Sequence, residues 1–131
     1  MVIPKPIPET GFAVPLRAAF LVFKRWPLFG VASNNLNPRL TLFAEHLEYS
    51  VLRVKRRSYR DIATVDARQW LSGNNLIFHW QGGLFSVSAN VGQAAALVAV
   101  LEFFVSKGFA LSETAKQILA SAPSILNSTQ A

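Results

Sequence analysis

The clearest pattern along the chain is a series of short alternating runs that gives way, at Asn90, to one apolar stretch with helical spacing. Between residues 39 and 89, apolar and polar positions alternate in segments separated by turn residues, which is typical of antiparallel strands. Beyond Asn90, apolar side chains recur at the spacing of one helix face. The pattern predicts a mainly β (α+β) domain, an antiparallel barrel or sandwich capped by one amphipathic helix.

The β region contains two predicted hairpins. Residues 40–51 alternate on either side of a turn candidate at 45–46, and residues 76–88 alternate on either side of a turn candidate at 81–83. A further strand is predicted at 62–70. Strands of this kind bury one face each, so they pack around a shared core.

The closing helix is predicted at 91–107. Asn90 suits the N-cap, and Gln93 stands three positions later, as in a capping box. Gly108 is placed for the left-handed position that ends many helices. The apolar stripe that would face the core consists of Ala94, Leu97, Val98, Leu101, Phe104 and Val105.

The chain divides into three parts. Residues 1–38 are predicted to form an extended arm with a short helix or strand, and residues 39–108 the barrel or sandwich with its helix. Residues 109–131 are predicted to form a short helix, capped by Ser112, and a flexible tail. Residues 16–25 suit either a helix or a buried strand, because periodicity does not separate the two in a short apolar run.

Composition narrows the class of protein. With 131 residues, 51% hydrophobic and 15% charged, the chain is long and apolar enough to fold as one domain. It has no cysteine, which excludes disulfides and thiolate metal sites. Its apolar runs are shorter than the roughly 20 residues that span a bilayer, and no secretion signal is recognisable. We therefore expect a cytoplasmic protein, with peripheral membrane contact as an alternative.

The net charge of +6 favours anionic partners. The positive residues are densest between positions 53 and 60, where they predict an anion-binding surface; the alternative is an edge strand whose charge prevents aggregation. No RNA-binding sheet signature accompanies them, which argues against nucleic acid. The candidate anion-binding residues are Arg53, Lys55, Arg56, Arg57 and Arg60.

The N-terminal arm carries an apolar and aromatic run beside basic residues. Such a run can lie on a membrane surface or mediate self-association, and it can also pack onto the core or exchange between subunits. The candidate membrane or self-association residues are Leu16, Phe20, Phe23 and Trp26.

No motif predicts catalysis, a metal or a cofactor. His46 and His79 stand apart from any spaced set of ligands; both are expected to be solvent-facing, His46 in a turn and His79 opposite its aromatic neighbours. Asp61 and Asp66 are expected to neutralise nearby arginines rather than to act in acid–base catalysis. We expect neither a metal nor a cofactor.

A β meander closed by one amphipathic helix resembles the pleckstrin-homology-like superfamily, in particular its small bacterial members. The resemblance covers about residues 39–108 and is carried by the segments 40–51, 59–62 and 75–89 and by the step through Asn90. Six strands are recognisable there, whereas the fold normally has seven. The resemblance implies that the remaining strand comes from residues 1–38 or from a partner chain.

Members of that superfamily bind phosphoinositides, peptides or other subunits. Two features depart from its lipid-binding members: the first hairpin turn contains Glu45 and His46 instead of lysine, and the closing helix carries Phe103 and Phe104 instead of tryptophan. We therefore expect a non-enzymatic binding or assembly module, self-associating or with a protein partner. The alternatives are an anionic-membrane binder that uses the 53–60 strand, and a small-ligand or enzymatic barrel.

Overall fold

A computed structural model describes residues 1–23, 30–34, 37–70 and 73–122 of the chain. The strands are β1 (Phe12–Ala13), β2 (Ala18–Phe23), β3 (Gly30–Asn34), β4 (Arg39–Leu42), β5 (His46–Ser50), β6 (Val54–Ser58), β7 (Ile62–Trp70), β8 (Gly73–Trp80) and β9 (Phe85–Asn90). A 3-10 turn, Tyr59–Asp61, joins β6 to β7. The helices are α1 (Ala94–Ser106) and α2 (Glu113–Ala120).

The strands form two antiparallel sheets, with the orders β1-β4-β5-β6 and β3-β2-β9-β8-β7. The sheets do not close into a barrel, so the fold is a mainly β, sandwich-like one with a C-terminal helix. Of the two architectures predicted from the pattern, the sandwich is therefore confirmed and the closed barrel is wrong. The two predicted hairpins correspond to β4–β5 and β8–β9.

The arm contributes strands to both sheets. Residues 18–23 form β2, which pairs with β3 on one side and β9 on the other, so the helical alternative for this run is wrong. A strand in this position satisfies its backbone groups through two neighbouring strands. β1 pairs with β4 at the edge of the first sheet. The strands beyond the six recognised in the sequence thus come from this chain.

The first residues of the arm lie on the protein's own core. Ile3, Ile7 and Leu16 are partly buried against it, and Val14 is buried. The backbone N–H of Val14 donates to the carbonyl of Leu40 at 2.8 Å, and that of Arg17 to the carbonyl of Asn90 at 2.8 Å. The arm therefore fills the fold of its own chain.

Helix α1 begins later than its sequence predicts. Asn90 ends β9, where it pairs with both Ala18 and Asn75, and its Oδ1 accepts from the N–H of Gly92 at 2.9 Å. The N-cap is Gln93, without a side-chain hydrogen bond, so the predicted capping box is wrong. Two other predicted helix ends are confirmed. Gly108, after the end of α1, adopts a φ of 83°, and the Ser112 hydroxyl caps the start of α2 by accepting from the N–H of Ala115 at 3.1 Å.

An aromatic cluster joins α1 to β8 and to the 3-10 turn between β6 and β7. Phe104 has no exposed surface and packs edge-on against Tyr59, Phe78 and Phe109, with ring centroids 5.5, 5.5 and 5.7 Å away.

Among the described residues, no helix is long and apolar enough to cross a membrane.

Gly11 fixes the close approach of the arm to β4. Its φ is 84°, and a Cβ added there would lie 2.6 Å from Thr41 Cγ2. Gly82, in the β8–β9 turn, has a similar φ of 73° but no atom within 4 Å of such a Cβ. We expect Gly11→Ala to lower the free energy of unfolding by about 2 kcal/mol and Gly82→Ala by about 1 kcal/mol. If urea denaturation shows the same loss of unfolding free energy for both variants, the close contact with Thr41 adds nothing to the cost of a positive φ at Gly11.

Candidate functional site

The five candidate anion-binding residues lie along one edge of the sandwich, on or beside β6. Lys55, Arg56 and Arg57 belong to the strand, Arg53 to the bend before it, and Arg60 to the 3-10 turn after it. β6 is the last strand of the first sheet and pairs only with β5 among the described residues. We call this set of five residues the basic edge.

The register with β5 distributes the charges over both faces of the sheet. Lys55 lies opposite Tyr49 and Arg57 opposite Leu47, and these two β5 residues are buried in the core. Lys55 and Arg57 therefore flank the inner face, since residues directly opposite in a sheet share a face. Arg56 lies opposite Glu48 on the outer face.

Two of the five cations are neutralised locally. Arg56 Nη2 lies 2.9 Å from Glu48 Oε1, and Arg57 Nε lies 3.6 Å from Asp61 Oδ2. The Arg57 guanidinium also stacks over the Trp80 ring, 4.4 Å from its centroid. Burial raises the pKa of Tyr49, an effect that the neighbouring Arg57 partly opposes.

The other three cations, Arg53, Lys55 and Arg60, have exposed side chains and form no ion pair within the described part of the chain. Two of them line a cleft of about 280 Å³ between the sheets. Its other lining residues are Leu21 from β2 and Tyr49, Val51 and Leu52 from the β5–β6 hairpin. An apolar cleft with two unpaired cations can hold a negatively charged group by charge-assisted hydrogen bonds.

The candidate membrane or self-association residues do not form one exposed patch. Leu16 is partly buried against the core, and Phe20 is half-buried in β2, which lies between β3 and β9. Phe23 is the last residue of β2, and Trp26 lies outside the described residues. The sequence left packing onto the core open beside the exposed alternatives, because an apolar run has the same pattern whether it faces solvent or lies within a sheet.

A buried polar cluster that the sequence did not predict links β7, β8, β9 and α2. Asp66 Oδ1 accepts from the Ser112 hydroxyl at 2.5 Å and from the N–H of Ala67 at 2.8 Å. His79 Nε2 lies 3.6 Å from Asp66 Oδ2, and His79 Nδ1 lies 2.7 Å from Ser86 Oγ. His79 is thus a cluster member with a side chain only 20% exposed, and the expectation that it faces solvent is wrong.

The carboxylate of Asp66 is held in its charged form. Burial alone would raise its pKa, but the interactions with His79, Ser112 and the Ala67 N–H, together with the charge of Arg68, bring it down to about 2. Arg68 Nε lies 3.6 Å from the carboxylate, so the expected neutralisation of arginines by Asp61 and Asp66 is confirmed.

The order Asp66–His79–Ser86 has the residue types of a nucleophilic triad, but Ser86 has no exposed surface. A substrate carbonyl cannot reach its Oγ in this arrangement. The cluster therefore serves to tie α2 to the second sheet. The only sequence signal for it is that Asp66 and His79 fall on polar positions of neighbouring strands.

His46 is the first residue of β5 and is half-buried, not an exposed turn residue as expected. Its ring stacks on Phe43 with centroids 4.4 Å apart, and its Nε2 is buried without a hydrogen-bond partner in the described structure. Within the same residues, no group of three or more His, Asp and Glu side chains could hold a metal ion.

No protein-family model matches the chain, and no curated protein matches it either. Function is therefore inferred from the geometry of the basic edge and the cleft beside it.

Proposed function

We propose that this chain is a non-enzymatic binding module of the pleckstrin-homology-like type that binds an anionic partner through its basic edge. The order of its elements supports the comparison with that superfamily: two three-stranded meanders, β4–β6 and β7–β9, are followed directly by a helix that packs on the core. The superfamily's members bind partners, and the serine of the Asp66–His79–Ser86 set has no exposed surface.

The observation that carries the proposal is the set of three unpaired cations along an open strand: Arg53 and Lys55 lie at its start, and Arg60 lies beyond its end. Like charges so close along the chain repel one another in the free protein, and an anion relieves that repulsion as it binds. Two of these cations share a cleft with apolar walls, where a bound charge is less screened than on a flat surface.

An anionic partner is favoured over a second copy of this chain. Two basic edges brought together would repel each other. The apolar side chain of Leu16, which suggested self-association, packs within its own fold, and the additional strands are supplied in cis.

A second candidate is the surface of an anionic membrane. Leu52 and Val54 stand on either side of Arg53 at the β5–β6 bend, 76% and 56% exposed. Apolar side chains interleaved with bases can enter the interface while the charges contact lipid headgroups. Co-sedimentation with phosphatidylcholine vesicles, with and without phosphatidylserine, tests this: Leu52→Ser should weaken binding to the anionic vesicles, and equal negligible binding to both would refute it.

Titration with tripolyphosphate, a compact polyanion, tests the principal proposal. We expect its addition to shift the amide NMR signals of residues 49–57. The triple variant Arg53→Gln/Lys55→Gln/Arg60→Gln should bind about tenfold or more weakly, because two charge-assisted contacts in the cleft and a third positive charge on the same edge are lost.

The matched control removes three exposed positive charges that lie outside the basic edge, in Lys5→Gln/Arg17→Gln/Lys116→Gln. This variant should bind tripolyphosphate nearly as well as the natural sequence. Equal weakening in both triple variants would mean that only net charge attracts the anion, and absence of binding to the natural sequence would contradict the proposal directly.

A further inference from the structure

The open side of β6 carries backbone groups with no partner among the described residues. The strand pairs with β5 alone, and the hydrogen bonds at the hairpins show which residues face which side. The N–H of Phe43 donates to the carbonyl of His46 at 2.9 Å, and the N–H of Tyr59 donates to the carbonyl of Glu45 at 3.1 Å. The carbonyl of His46 therefore points toward β4 and that of Glu45 toward the β6 side. Successive residues of β5 direct their backbone groups alternately toward these two neighbours.

In an antiparallel pair, the N–H and C=O of one residue point to the same side, and consecutive residues alternate. Leu47 and Tyr49 therefore direct their backbone groups toward β6, where they meet Arg57 and Lys55. The remaining β6 residues, Val54, Arg56 and Ser58, direct theirs away from the sheet. This edge has the spacing that a further strand needs.

The side chains along the edge alternate in the same way. Lys55 and Arg57 flank the inner face, and Arg56 lies on the outer face, where Glu48 neutralises it. The unpaired charge beside the open backbone is therefore that of Lys55 on the inner face, with Arg53 and Arg60 beyond the two ends of the strand. A phosphate group or a headgroup in the cleft contacts one of these faces. A strand laid beside β6 presents side chains to both faces at once, because residues directly opposite share a face.

We propose that the partner of the basic edge is an extended acidic segment of another protein, which adds to the first sheet as a strand beside β6. The inference rests on the proposed anionic partner and specifies its chemistry and its mode of binding. Backbone hydrogen bonds to Val54, Arg56 and the N–H of Ser58 hold the segment, since the Ser58 carbonyl belongs to the 3-10 turn. Acidic side chains opposite Lys55 and beside Arg53 and Arg60 give it specificity, and the exposed Val54 favours an apolar or β-branched residue opposite.

The test uses a fluorescein-labelled peptide rich in Glu, Val and Thr and a second peptide of the same sequence with alternate residues N-methylated. N-methylation keeps the charge but removes the donors that pair with a strand edge. In fluorescence anisotropy we expect the unmodified peptide to bind the full chain and the N-methylated peptide to bind about tenfold more weakly.

A change in the protein provides the complementary evidence. Val54→Pro keeps every charge and removes one outward N–H; proline is tolerated at this kind of edge position. We expect this substitution to weaken peptide binding about fivefold to tenfold and to leave tripolyphosphate binding unchanged. Val54→Thr, which keeps the N–H, should bind the peptide as the natural sequence does. The peptide pair tests the same contacts without altering the fold.

The other outcomes separate the inference from the function on which it rests. Equal binding of the two peptides would mean that charge alone attracts them and would overturn strand addition. Binding of tripolyphosphate or of phosphatidylserine vesicles without binding of the peptide would overturn an acidic protein segment as the partner while leaving an anionic partner in place. Failure of all three probes would overturn both.

Discussion

Replacing Phe104 by alanine is expected to lower the free energy of unfolding by about 3–5 kcal/mol, as for other fully buried phenylalanines. The ring has no exposed surface and touches Tyr59, Phe78, Phe103 and Phe109, so its removal leaves a cavity where α1 meets β8 and the 3-10 turn. Rigid aromatic neighbours on several sides limit how far the site can collapse. Urea denaturation followed by circular dichroism measures the loss.

Val105 provides the control, because it follows Phe104 in the same helix and is 48% exposed. The helical stripe predicts it on the buried face, and the structure shows that this prediction is wrong. Val105→Ala should change the free energy of unfolding by less than about 1 kcal/mol. A loss as large as that of Phe104→Ala would mean that the core extends beyond the aromatic cluster.

Replacing Asp66 by asparagine is expected to cost about 2–3 kcal/mol of stability at pH 7. The pKa of this carboxyl falls from 3.8 to about 2 in the folded protein, and a difference of that size corresponds to this free energy. Asparagine can keep the bonds from Ser112 and the Ala67 N–H. It loses the charge that attracts His79 and Arg68.

The same pKa determines the pH dependence. Because the folded-state value is lowered, the stabilisation is fully present above the unfolded-state pKa near 4 and is lost as the pH falls toward 2. The natural sequence should therefore lose stability between about pH 4 and pH 2, and its advantage over Asp66→Asn should shrink across this range. Denaturation curves at several pH values measure both effects.

Asp61→Asn is the matched control for this substitution. Asp61 also pairs with an arginine at 3.6 Å, but its side chain is 53% exposed. Its replacement should cost less than about 1 kcal/mol, as for other surface ion pairs. If Asp61→Asn and Asp66→Asn were equally destabilising, the buried cluster would contribute nothing beyond an ordinary ion pair.

Local features of this fold could be predicted from the sequence because their causes are local. The Gly82-Gly83 turn brings two alternating runs together, and Ser112 caps α2 by a hydrogen bond within three residues. Gly108 ends α1 because glycine adopts a positive φ without strain. The density of positive charge at 53–60 is likewise a property of the chain itself.

The tertiary structure decided everything that depends on residues far apart in the chain. Ala18–Phe23 is a strand because β3 and β9 offer it partners on both sides, and pairing with β2 and β8 keeps Asn90 from capping α1. Asp66 and Ser112 are 46 residues apart, so no local spacing in the sequence predicts their hydrogen bond.

The basic edge shows both contributions. The sequence by itself determined that five cations lie between residues 53 and 60. Only the tertiary structure decided that Glu48 and Asp61 neutralise two of them while Arg53, Lys55 and Arg60 keep their charge free among the described residues. The physical reason is that charge is fixed by composition, whereas its pairing depends on strand register and on which edge of the sheet stays open.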